Sequence, residues 1–125
     1  MMICLASGSA LVMLLTGSLT LSWDHSVEKI RWSEHYRVDG DRLHLVEASV
    51  RGSGAGMEPP PEARLEGGAW RWHPDLHLAQ LTLAGSEFTG EYTLCPGSGP
   101  CRPLSHWLPA GHGVTLTACE VAEVD

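Results

Sequence analysis

The residues best able to do chemistry crowd into one stretch, His25-Ser26-Val27-Glu28-Lys29, which runs on through Trp32, Glu34 and Tyr36. Two imidazoles, His25 and His35, two carboxylates and the only lysine of the chain fall within it. Imidazole and carboxylate donors together suit zinc or manganese, so His25, Glu28 and Glu34 are candidate ligands, although no pair among them has diagnostic spacing. The same three residues are the ones a metal-dependent or hydrolytic enzyme would use. Nucleophilic catalysis by Ser26 is disfavoured, because neighbours on a strand point to opposite faces and His25 cannot easily bond to it. Ser53 lies in Gly-Ser-Gly-Ala-Gly, without the Gly-x-Ser-x-Gly elbow and the helix behind it. No catalytic residue and no cofactor are assigned.

On a regular strand, Glu28 and Glu34 share a face with Ile30, Trp32 and Tyr36. A carboxylate on an apolar face must be paired, hydrogen-bonded or protonated, because burying a lone charge is costly. One outcome is structural, with Lys29, Arg31, Arg37 or Arg51 folding over it. The other is a pocket for a ligand or partner. The turn-rich run Gly52-Ser53-Gly54-Ala55-Gly56-Met57-Glu58-Pro59 is the natural companion of this stretch. Its backbone N–H groups can form an anion-binding nest, or its glycines can serve only a tight crossover. It is no phosphate-binding P-loop, since the terminal Gly-Lys-Ser/Thr is absent. The candidate binding set is therefore His25, Ser26, Glu28, Trp32 and Glu34 with Gly54, Ala55, Gly56, Met57 and Glu58.

The elements that must position these groups read as β-structure. Polar and apolar residues alternate, and no long segment keeps helical spacing. Strands are expected from Leu21 to about Val27, from Ile30 to Val38 and from Leu43 to Val50, the last two joined at Asp39-Gly40. Gly67-Gly68 marks a second hairpin. Leu76, Leu78, Leu81 and Leu83 form an apolar strand whose parity shifts near Ala79-Gln80, which predicts a bulge. A short strand ends at Cys95, a helical turn spans Leu104 to Leu108, and Val114 to Cys119 is the closing strand. The expected fold is all-β, a small antiparallel sandwich or partly closed barrel of about seven or eight strands.

An N-terminal hydrophobic helix is expected ahead of it. Residues 1 to 22 carry no charge and include Ile3, Leu5, Leu11, Val12, Leu14, Leu15, Leu19 and Leu21. That run is long enough to cross a bilayer and reads as a signal peptide or membrane anchor, leaving 23–125 as a single β domain. The other histidines (His44, His73, His77, His106, His112) are expected on the surface or in loops. Cys95 and Cys101 bracket a Pro-Gly-Ser-Gly-Pro loop that can bring their sulfurs within disulfide reach, although Cys119 could pair with either. Disulfide use would mean an oxidising compartment, periplasmic or at the outer face of the cytoplasmic membrane. The net charge of -7, with no basic cluster, argues against a nucleic-acid partner.

His25-Ser26-Val27-Glu28-Lys29, Trp32-x-Glu34-x-Tyr36, the Gly52–Pro59 run and Tyr92-Thr93-Leu94-Cys95, in this order, resemble the bacterial family catalogued as domain of unknown function 1850. The resemblance spans essentially the whole chain after the leading segment. It implies a small exported or membrane-anchored protein, of a kind often encoded beside tripartite ATP-independent periplasmic (TRAP) transporters with TAXI-class solute receptors. The expected partners are accordingly a TRAP permease or solute receptor, together with the membrane through residues 1–22. The family supplies no catalytic residues to carry over.

Overall fold

In chain order the strands are β1 (Met2–Ser7), β2 (Ala10–Met13), β3 (Ser18–His25), β4 (Ile30–Asp39), β5 (Arg42–Arg51), β6 (Arg64–Glu66), β7 (Ala69–Trp72), β8 (Leu76–Leu78), β9 (Gln80–Leu83), β10 (Thr93–Pro96), β11 (Arg102–Pro103) and β12 (Val114–Cys119). The computed structural model describes residues 1–25 (for His25 the backbone alone), 30–51, 59–83, 92–97, 99–108 and 113–120. Among these the only helical piece is a single 3₁₀ turn, Leu104–His106. The all-β expectation holds. The strands build two antiparallel sheets that do not close into a barrel.

The large sheet has the order β11-β10-β3-β4-β5-β7-β6, with β8 also pairing β5. Its spine is the β3–β4–β5 meander, in register from Ser18↔Arg37 to His25↔Ile30 and from Asp39↔Arg42 to Arg31↔Arg51. Two-residue loops close its clearest hairpins. Gly40 adopts φ 63 between Asp39 and Arg42, while Gly67 and Gly68 adopt φ 59 and 84 between β6 and β7. Such positive φ values match the twist of hairpin strands and are costly for residues with a Cβ.

The small sheet has the order β2-β1-β12-β9 and overturns two expectations. Residues 1–22 form no helix. They supply β1, β2 and most of β3, and Ile3, Leu5, Leu19 and Leu21 are all 0% exposed. β1 pairs with the closing strand, Met2↔Cys119 through Ala6↔Thr115, and its Ile3 and Leu5 lie in the core. No helix among the described residues is long and apolar enough to cross a membrane. The second correction concerns Cys119, which bonds Cys4 and not Cys95 or Cys101. Cys95 and Cys101 bond each other, as their loop suggests. The two disulfides fit an oxidising, exported setting.

The parity shift at Ala79-Gln80 is a change of sheet, not a bulge. β8 pairs with β5 in the large sheet, and β9 pairs with β12 in the small one. Ile3, Leu5, Leu83, Val114 and Leu116 of the small sheet meet Leu19, Leu21, Tyr36, Leu43, Leu45 and Leu94 of the large one in a single core. The bulge that does occur lies where β4 meets β5. There the register steps from His35↔Glu47 to Tyr36↔Leu45, which keeps Leu43 and Leu45 on the same face as Ala48 and Val50.

Candidate functional site

Pairing carries the core-facing side of the large sheet beyond the sealed core. Cross-strand partners share a face, so Trp23, Trp32, Val50 and Trp70 form one row, and Leu21, Glu34, Ala48 and Trp72 form the next. Where Leu21, Ala48 and Val50 are buried, the tryptophans and Glu34 are only partly so. Trp23 stacks on Trp32 with ring centroids 6.5 Å apart. Tyr92 tilts against Trp23 at 5.6 Å, and Trp72 meets Trp32 edge-on at 6.3 Å. Four aromatic rings thus run across the sheet from the flank of β10 to β7.

Glu34 sits in this apolar surround. The Tyr36 hydroxyl, on the same face two residues on, donates to Glu34 Oε1 at 2.9 Å. Burial raises the Glu34 carboxyl above its ordinary value of 4.5, and the Tyr36 hydrogen bond pulls the other way. Burial, then the Glu34 charge and this hydrogen bond, push the Tyr36 hydroxyl far up, so it stays a donor at any ordinary pH. The Tyr92 hydroxyl is also raised, by burial first and the Glu34 charge second.

Among the described residues no cation pairs with Glu34. Arg31 points from the opposite face, where it binds Asp24 at 3.2 Å and the Ser22 hydroxyl at 2.9 Å. The Arg51 guanidinium lies beside Gly68, 3.2 Å from where a Cβ there would sit. The structural outcome expected for Arg31 and Arg51, folding over Glu34, is therefore not what these side chains do. Lys29 lies outside the described residues.

Of the sequence-derived candidates, Trp32 and Glu34 are brought together on one face. The side chain of His25, and Ser26, Glu28, Gly54, Ala55, Gly56, Met57 and Glu58, lie outside the described residues. The flanks of the two signature segments adjoin, because Arg51, the last residue before Gly52, pairs with Arg31, one step from the His25↔Ile30 pair. Tyr92 follows them to that same end of the sheet, since Thr93 pairs with Ser22.

Sequence reasoning missed three of these four aromatic residues: Trp23, Trp72 and Tyr92. The pairing of Trp23 with Trp32 was nevertheless in reach. Counting back two pairs from His25↔Ile30 places residues 23 and 32 opposite each other. Trp72 and Tyr92 carried no such local signal. Two shallow grooves elsewhere, one along Gly17, Ser18 and Arg37 and one along Glu47, Arg64 and Arg71, do not include Glu34.

A family model described as domain of unknown function (DUF1850) matches residues 19–104. The chain belongs to that family. The matched span includes the whole large sheet save Ser18. No curated protein matches, and no solved structure matches. The family description carries no activity, so function has to be argued from the aromatic row itself.

Proposed function

We propose that this family member is an exported, non-enzymatic accessory or binding domain that docks to a component of a TRAP transporter of the TAXI class. The docking surface is the Trp23–Trp32–Trp72–Tyr92 row with Glu34 at its centre. One observation carries this reading: Glu34 is kept in an apolar, aromatic setting where its charge is penalised and where no described cation neutralises it. A half-buried carboxylate of that kind costs stability, and the cost is offset on binding if a partner supplies a basic group. Tryptophan and tyrosine give such a contact large area at small entropic cost and also attract cations to their faces. The chain's own charge of -7 favours a basic partner surface. The partner class, a permease or a solute receptor, is the one that the family resemblance implies.

The experiment is co-purification of the tagged chain with the permease and, separately, with the solute receptor. Capture by one of them, lost in Trp32→Ala and in Glu34→Gln while both variants keep the wild-type circular dichroism, supports the proposal. Capture undiminished in both variants, or capture by neither component, contradicts it.

A further inference from the structure

His44 and His77 lie 33 residues apart in the chain and directly opposite each other on β5 and β8. Their neighbours Leu43, Leu45 and Leu78 pack into or against the core, so both imidazoles stand on the outer face, away from Glu34. The rings stack with centroids 4.1 Å apart and planes within 11°.

An acid meets each ring. Asp75 Oδ1 lies 2.6 Å from His44 Nε2, and Asp39 Oδ2 lies 3.3 Å from His77 Nε2. One donor atom each from Asp39, His44 and His77 falls within 4.8 Å of the others. The remaining nitrogen of His44, Nδ1, is the one buried side-chain nitrogen or oxygen among the described residues with no hydrogen-bond partner. Asp75 reaches His44 from a backbone with φ 54, a left-handed conformation uncommon outside glycine.

We propose that Asp39, His44 and His77 bind a divalent transition-metal ion of the zinc class, with Asp75 as the carboxylate that orients His44. Mixed imidazole and carboxylate donors suit zinc, whereas calcium and magnesium select all-oxygen sets. Zinc held at about 2.0–2.2 Å by each donor needs those donors roughly 3.5 Å apart. The side chains therefore have to close by about 1 Å and the rings tilt out of parallel. Those are side-chain rotations at the surface, on strands whose backbone pairing need not change. A carboxylate bonded to a metal-binding imidazole fixes its tautomer and orientation, which is the part Asp75 is placed to play. The plain alternative is two surface His–Asp pairs, each worth little to stability.

Calorimetric titration of Zn²⁺ alone into the chelator-stripped full chain at neutral pH decides between them. The site predicts uptake of one ion per chain. Affinity should fall roughly tenfold or more in His44→Ala and in His77→Ala, and by a comparable or smaller factor in Asp75→Asn. His73→Ala, in which the ring lost bonds only the Val46 carbonyl among described groups, should bind as wild type does. In the unmodified chain, the proton signals of the His44 and His77 rings should shift together as zinc is added. Absence of uptake, undiminished uptake in the His44→Ala/His77→Ala double variant, or shifts confined to other histidines would overturn the proposal.

Discussion

The two sheets of this protein divide its work. The large one carries an aromatic, acid-bearing face and lies within the family match save for Ser18. The small one draws β1, β2 and β12 from outside that span and contributes Ile3, Leu5, Val114 and Leu116 to the core. Their side chains differ in kind. The large sheet leaves costly groups half-exposed: Trp23, Trp32, Trp72, Tyr92 and Glu34. The small one buries Ile3, Leu5 and Leu116 completely and is tied across its two central strands by Cys4–Cys119. A face that keeps groups which lower stability is the better candidate for function, and a face that spends its residues on packing is the better candidate for scaffold.

The sharpest way to break this division is to attack the scaffold. The Cys4–Cys119 bridge spans 115 residues of sequence, against 6 for Cys95–Cys101. Loop-entropy reasoning puts the first at about 4–5 kcal/mol and the second at about 2 kcal/mol. Replacing Cys4 and Cys119 together by alanine should therefore lower the denaturation midpoint well beyond the effect of replacing Cys95 and Cys101. Equal effects would mean that β1 is not held to β12 in solution. Next in size is Leu5→Ala, which empties a fully buried position and should cost about 2–5 kcal/mol in denaturant unfolding. A cost near zero would return residues 1–22 to the role of a leader outside the fold.

On the large sheet the expected sign reverses. Because burial raises the Glu34 carboxyl in the folded state, its contribution to stability is fully present below the ordinary value of 4.5 and is lost as pH rises through the raised value. Glu34→Gln should therefore match the wild type at acid pH and exceed it slightly at neutral pH, by about 1 kcal/mol or less after allowing for partial exposure. Thermal melts of the two proteins across that range measure the difference directly. A variant less stable than wild type at neutral pH would show that the partners of the charged form outweigh the penalty of its burial.

The large sheet was also the part most legible in the sequence. Its hairpins are local, and glycines mark their turns at Gly40 and Gly67-Gly68. The alternation from Ile30 to Val38 correctly put Trp32, Glu34 and Tyr36 on one face. The small sheet was not legible, for two physical reasons. Ile3, Cys4 and Leu5 are all buried, so β1 lacks the alternation that distinguishes a strand from an uncharged apolar helix. Its partner β12 lies at the far end of the chain, and pairing at that separation leaves no local pattern. Leu76 to Leu83 failed for a related reason: one apolar run serves two sheets, which a period count records only as a phase slip. His44 and His77 looked scattered because the pairing of β5 with β8 alone makes them neighbours.

The most direct test of the central claim, that the aromatic row is the docking surface, is nuclear magnetic resonance of the labelled chain titrated with the TRAP component it captures. The indole N–H signals of Trp23, Trp32 and Trp72 should shift first and most, with the amides of β1 and β12 unmoved. Shifts confined to the small sheet, with those three indoles unchanged at saturation, would contradict the account.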